Sequence, residues 1–143
     1  MAVVLCATPF SPYRELEAYQ RNLEAGKFGA TAVFVGTMRD LNLGDAITRM
    51  TLEHYPGMAE RRLREIAGEA HLRWDLLDVL VIHRVGEIHP NDSIVLVAAW
   101  AAHRGPAFDA CRYIVEGLKH SAPFWKKEAS PHGERWVESN TPS

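Results

Sequence analysis

Three lysines, two aromatic residues and a proline fall within the ten residues Lys119-His-Ser-Ala-Pro-Phe-Trp-Lys-Lys-Glu128. Lysine is the residue most often left in solvent, because burying an unpaired ammonium is costly. Phe124 and Trp125 prefer burial. Interleaving the two types just past a helix describes one of two things. One is a solvated basic turn beside two core aromatics. The other is an aromatic-walled pocket with fixed positive charge, suited to an anionic, ring-containing ligand. A lysine held in such a pocket can also serve as nucleophile or proton donor, since desolvation lowers its pKa.

Other polar residues sit at the ends of apolar elements and could join such a site. Met38-Arg39 follows the strand that carries Phe34. His103-Arg104 ends an apolar strand and starts a helix, whose N-terminus adds partial positive charge and free N–H donors for an anion. On one continuous helix Lys119 and Lys126 would lie about 10 Å apart, but Pro123 breaks the helix and lets the chain fold back. Lys127, beside Glu128, reads as solvated. His83-Arg84 also ends a strand, where Gly86 and Glu87 suggest an ordinary loop entry or a subunit interface.

The charge distribution points the same way. Between His103 and Lys127 the cations Arg104, Arg112, Lys119, Lys126 and Lys127 face only Asp109 and Glu116, a local +3 in a chain of net −2, so the remainder carries −5. A positive patch on an acidic protein fits a specific anion site better than general nucleic-acid coating. The two cysteines, Cys6 and Cys111, are far apart and read as reduced thiols of a cytoplasmic protein. No signal peptide or membrane-length apolar run is present. The seven histidines form neither H-x-x-x-H nor a Cys/His cluster, so no metal and no cofactor is expected.

These residues need elements to hold them. With 47% hydrophobic residues, 143 residues suffice for one folded domain over 1–143. Ser11-Pro12 starts a short helix to about Asn22, with Leu16 and Tyr19 inward. Thr31–Val35 is a strand, followed by a turn-rich loop from Gly36 to Gly44. Ile47–Tyr55 alternates as a second strand, with Met50 and Leu52 on one face. Pro56-Gly57 opens a helix to about Trp74, whose inner positions are Met58/Ala59, Leu63, Ile66/Ala67 and Ala70. Val79–Val85 is a strand, His89–Asp92 a turn, and Ile94–Ala102 a strand buried on both faces. A helix from about Pro106 to Lys119 turns Phe108, Cys111, Val115 and Leu118 inward. An extended segment and a short stretch around Trp136-Val137 close the chain. The fold class is α+β.

In order and spacing, several stretches resemble the large, catalytic subunit of molybdopterin synthase along nearly the whole chain. They are Phe34-Val-Gly-Thr-Met-Arg39, Asn42-Leu-Gly-Asp45, Leu52-Glu-His-Tyr-Pro-Gly-Met-Ala59, Ile82-His-Arg-Val-Gly86, Ala102-His-Arg104, Ala107-Phe108, and Leu118-Lys119 through Pro123-Phe-Trp-Lys-Lys-Glu128 to Gly133-Glu-Arg-Trp-Val137. The resemblance implies an α/β hammerhead-like fold with an additional antiparallel β subdomain. It implies a sulfurtransferase: a small ubiquitin-like carrier subunit threads its C-terminal Gly-Gly thiocarboxylate into a pocket, and cyclic pyranopterin monophosphate receives two sulfurs to become the dithiolene of molybdopterin. It also implies a central homodimer with one carrier at each end, a heterotetramer in which a site can borrow residues from the other large subunit. In the family the lysines matching Lys119 and Lys126 are the catalytic candidates. Lys119 would sit beside the acyl carbon, while Arg39, His103, Arg104, Phe34 and Trp125 bind substrate. The tail after Val137 carries no basic residue, whereas the family's longer tails bring an arginine to the neighbouring site; either that contribution is absent here or another residue, with Arg135 the candidate, substitutes for it.

Two other readings compete. A non-catalytic module would capture a carrier tail without chemistry. A nucleotide- or RNA-binding domain would stack bases on Trp125, a reading that the net negative charge opposes.

Overall fold

A computed structural model describes residues 1–137; the basic-free tail 138–143 discussed above lies outside the described residues. In chain order the elements are β1 (Ala2–Cys6), α1 (Pro12–Gln20), β2 (Ala30–Thr37), β3 (Leu41–Asn42), β4 (Asp45–Ala46), β5 (Arg49–His54), α2 (Met58–Arg73), β6 (Asp78–Arg84), β7 (Gly86–Ile88), β8 (Ser93–Ala101), α3 (Arg104–Ser121), β9 (Phe124–Ser130) and β10 (Gly133–Val137). The α+β class expected from the sequence is the class observed.

Two four-stranded sheets divide the work. The first has the order β1-β6-β8-β2; β1 runs parallel to β6, and the other pairs are antiparallel. The second, β10-β9-β5-β7, is antiparallel throughout. β8 is buried from Val95 to Ala101, because helices cover both faces of its sheet. Val79, Val81, Val95, Val97 and Ala99 face α2 and α3, meeting Leu63, Ile66, Ala70, Ala110 and Ile114. The alternate residues Leu80, Ile82, Leu96, Ala98 and Trp100 face the other way, toward Leu16 and Tyr19 of α1.

Local chemistry sets the boundaries. Pro12 at the first helical turn and Ser11 before it start α1. Gly57 takes φ 84°, and its N–H donates to the Glu60 carboxylate at 2.7 Å, closing the first turn of α2. α3 begins at Arg104, two residues before Pro106, and ends at Ser121 ahead of Pro123.

Three expectations need correction. β1 has no counterpart in the sequence reading; five apolar residues carry no period of their own, and pairing with β6, far along the chain, makes them a strand. Met58, the first residue of α2, is exposed rather than inward, since the buried stripe of that helix runs through Ala59, Leu63, Ile66, Ala67 and Ala70. Phe108 is also exposed, since the buried stripe of α3 runs through Ala107, Ala110, Cys111, Ile114 and Leu118; one residue along a helix turns the side chain by about 100°.

One glycine joins β2 to β8 at close quarters. The Gly29 N–H donates to the Ala101 carbonyl at 2.9 Å, and a Cβ at Gly29 would stand 2.3 Å from the carbonyl oxygen of Ala102. That oxygen lies one residue past the paired end of β8 and can move only if the backbone moves with it. Gly29→Ala is expected to cost about 1–3 kcal/mol, read as a lower urea midpoint with an unchanged slope.

Candidate active site

The two sheets meet at one end of α3, and a cavity of about 1040 Å³ opens between them. Phe34 to Thr37 of β2 and Ile94-Val95 of β8 form one wall; Met50 and Leu52 of β5 and Phe124 to Lys126 of β9 form the opposite one. The last turns of α3 bring Val115, Leu118 and Lys119, and the loop from Met38 to Leu43 lies across it.

Pro123 is what makes the lysines neighbours. α3 stops at Ser121, Ala122 is extended with ψ 136°, and the chain re-enters as β9 against β5. Lys119 and Lys126 therefore line one cavity from two elements. On β9 the alternation of a strand sends Phe124, Lys126 and Glu128 inward. Lys127 does not line the cavity: it sits 3.7 Å from Glu134, with its ammonium 5.4 Å from the Trp136 ring centre.

Burial lowers the pKa of both site lysines. For Lys119 desolvation is the main cause, partly offset by Glu116. For Lys126 desolvation again leads, the charge of Lys119 pushes the same way, and Glu128 opposes. Two ammonium groups lining one half-enclosed cavity are poorly hydrated, so they favour anions strongly.

Arg39, Phe34 and Trp125 line the same space. Arg39 is exposed. Phe34 is half-buried and packs against the main core. Trp125 is 44% exposed, and its ring meets that of Tyr55 edge-on, 5.1 Å between centres at 87°. The sequence expectation thus grouped Lys119, Lys126, Arg39, Phe34 and Trp125 as the structure does.

His103 and Arg104 fall elsewhere. They are exposed at the start of α3, beyond the far end of β8, whose first residues line the cavity. Six residue steps of strand from Val95 to Ala101 separate the two ends by roughly 20 Å. Their place at element ends suggested neighbours of the site, but residue types alone do not tell which end of β8 faces the cavity. Arg135, the proposed substitute for a tail arginine, holds the Asp45 carboxylate at 2.8 Å and the Asn42 carbonyl at 3.1 Å. It fastens the β3–β4 hairpin, which lies over the cavity through Leu41, Asn42 and Leu43.

Two residues of the site escaped the sequence reading. Glu128 is 5% exposed and accepts from the Asn42 side-chain amide. His83, read as a loop entry, is buried in β6, lines the cavity and stacks on Phe124, 4.4 Å between ring centres at 17°. A histidine directly after the apolar run Val79–Ile82, still within the expected strand, was the available signal, because buried polar groups need a reason. Burial first, then the charges of Lys119 and Lys126, push its pKa from 6.5 down to about 4, against the carbonyl of Arg84, which favours the charged form.

That shift makes a stability prediction. The folded state binds the His83 proton less well than the unfolded chain, so stability is lost as pH falls from 6.5 through about 4. The contribution is of order 3 kcal/mol, and His83→Phe removes it. Urea melts at pH 7 and pH 4.5 should show a smaller acid loss for the variant.

Among the described residues no group of three or more His, Cys, Asp or Glu side chains could hold a metal ion, and no helix is long and apolar enough to cross a membrane. Both cysteines are free, Cys111 buried and Cys6 half-buried.

The chain matches the family model described as MoaE protein over residues 8–121. It is 55% identical over 119 residues to the molybdopterin synthase catalytic subunit of Ralstonia nicotianae, covering 82% of this chain and 68% of that one. The solved structure of the molybdopterin biosynthesis MoaE protein from Burkholderia ambifaria superposes with a TM-score of 0.80 at 46% identity, over 99% of this chain and 92% of that one. The fold recurs in a protein–protein complex of subunits 1 and 2 of molybdopterin-converting factor from Helicobacter pylori, with a TM-score of 0.75 at 23% identity over 96% and 92% of the two chains. With a family match across most of its length and a relative identical at more than half the aligned positions, the chain belongs to the MoaE family.

Proposed function

We propose that the cavity is where this molybdopterin synthase catalytic subunit moves sulfur from the C-terminal Gly-Gly thiocarboxylate of a small ubiquitin-like carrier to cyclic pyranopterin monophosphate, building the dithiolene of molybdopterin. The observation that carries the reading is the pair of desolvated lysines, Lys119 and Lys126, in one cavity with Arg39. Thiocarboxylate and phosphate are both anions, and bringing them together requires fixed positive charge in a site of low dielectric. Lys119 stands beside the acyl carbon as proton donor or charge stabiliser. Lys126 and Arg39 orient the substrate, and Phe34 and Trp125 give apolar surface to the tail or the pterin ring. A carrier subunit is in keeping with the two-subunit Helicobacter pylori complex of the same fold.

His103 and Arg104 lie too far along β8 to serve the cavity of their own chain. Their role at the phosphate or as proton relay therefore belongs to a homodimer in which a second copy supplies them. The setting is the cytoplasm, where free thiols such as Cys6 and Cys111 stay reduced.

The test is a single-turnover assay with thiocarboxylated carrier and cyclic pyranopterin monophosphate. Complex formation and dithiolene product are expected. No binding of a Gly-Gly carrier overturns the reading, and binding without product leaves a tail-capturing module in its place. Co-expression of Lys119→Ala and Arg104→Ala chains tests the shared site: mixed dimers regain activity that neither variant has alone.

A further inference from the structure

The β3–β4 hairpin belongs to neither four-stranded sheet. Its feet are fixed by backbone bonds. The Met38 N–H donates to the Asp92 carbonyl at 2.9 Å, the Met38 carbonyl accepts from Asn91 at 2.8 Å, and the Thr48 N–H donates to the Ala129 carbonyl at 2.9 Å. Met38 and Ile47 are buried with Met50, Leu52 and Ile88. Between these feet the chain arches over the cavity, and Arg39, Leu41, Asn42 and Leu43 of the arch line it.

Side chains tie the arch to the second sheet. Arg135 reaches from β10 with both arms of its guanidinium, one on the Asp45 carboxylate at 2.8 Å and one on the Asn42 carbonyl at 3.1 Å. The Asn42 amide donates to the buried carboxylate of Glu128, which stands opposite Arg135 in the β9–β10 pairing. The outer pair, Arg135 with Asp45, is partly exposed, and pairs of that kind are weak enough to open and close.

The tip is an uncommon turn. Leu43 and Gly44 both take positive φ, 54° and 82°, the backbone of a two-residue hairpin loop in which asparagine or aspartate is favoured at the first place. Leu43 is 80% exposed, so neither backbone preference nor burial favours leucine there in the free protein. It gains burial when the cavity beneath it is filled. A Gly-Gly tail brings no side chains to fill about 1040 Å³, so excluding water from that tail falls to the protein.

We propose that Arg135 is a positioning residue of the sulfur-transfer site: it clasps the β3–β4 hairpin down as a cover, so that Leu41 and Leu43 close over the bound tail and keep water from the thiocarboxylate until its sulfur has moved. The inference rests on the function proposed above and deepens it. The reaction that the cover prevents is hydrolysis. Water adds to the acyl carbon, the carbon–sulfur bond breaks, hydrogen sulfide leaves, and the tail ends as a carboxylate.

The experiment measures sulfide release and carrier consumption per dithiolene formed. Each carrier brings one sulfur and the product needs two, so the wild type should consume close to two carriers per product. Losing both contacts in Arg135→Ala should raise the open fraction of the hairpin, and with it sulfide release, about three- to tenfold. In the free protein, hydrogen exchange at the Ile47 amide, which donates to the Asp40 carbonyl at 2.7 Å, should quicken by a similar factor while β8 exchanges as before. Adding Asp45→Ala to Arg135→Ala should change nothing further, because that contact is already gone. Leu43→Asn suits the turn better, so it should slow the Ile47 exchange and still raise sulfide release. Wild-type release from Leu43→Asn would make the hairpin merely structural and sink the cover. Unchanged exchange in Arg135→Ala overturns the clasp, and faster exchange with wild-type sulfide release overturns the cover. Should Arg135→Ala not fold, Asp45→Asn removes the charge pair without touching β10. Wild-type enzyme that makes no product overturns the functional reading instead, while the Ile47 exchange still judges the clasp.

Discussion

Replacing Lys119 with alanine is expected to cut single-turnover dithiolene formation by about 10²–10³-fold, the loss found when one fixed donor is taken from a dry catalytic site. The protein should remain folded. The ammonium sits at the last turn of α3, half-buried, and burial already lowers its pKa, so the charge is held there against a desolvation cost that alanine removes. A melting temperature within a few degrees of wild type would show that the defect is chemical. Lys119→Arg keeps the charge but spreads it over a larger planar group, and should recover only part of the rate. Near-normal product from Lys119→Ala with thiocarboxylated carrier would remove Lys119 from the reaction and leave Lys126 and Arg39 as its centre.

The largest stability effect is expected at the opposite end of the first sheet. Trp100 is fully buried; its indole N–H donates to the Gln20 side-chain oxygen at 3.0 Å, and its ring lies 5.4 Å from that of Tyr19. It is the residue on which α1 is seated. Trp100→Ala should cost about 3–5 kcal/mol, from lost burial and from the space left beneath a helix too short to collapse into it. That is a large part of the 5–15 kcal/mol that typically holds a domain. Chemical denaturation measures it directly. Because Trp100 lies near the end of β8 away from the cavity, the surviving folded fraction should turn over at close to the wild-type rate. A comparable loss of activity per folded molecule would mean that this end of the sheet communicates with the site, as a second copy docked at His103 and Arg104 would allow.

The elements with strong local signals were legible from residues alone. α1, α2 and α3 announce themselves through Pro12, Pro56-Gly57 and Pro106 and through apolar spacing, and β8 through an unbroken apolar run. β1 was not legible, because its identity as a strand rests on pairing with β6. Phe108 and Met58 were misjudged because helical phase is decided by what the helix packs against, and aromatic or sulfur-bearing side chains do not report it.

The site divides in the same manner. The residue types between Lys119 and Glu128 were enough to indicate an anion pocket, and Pro123 was enough to predict that the chain turns back within it. These are local facts of charge, hydrophobicity and backbone freedom, and sequence determines them alone. Which distant residues join the pocket is not local. Arg39 and Phe34 enter it and His103 and Arg104 do not, because β8 sends its first residues to the cavity and its last ones roughly 20 Å away. His83 enters it for the same reason of register: one step along β6 would have turned its ring to the other face of the sheet. Only the folded chain, by fixing strand direction and register, decided which of its polar residues share one poorly hydrated space.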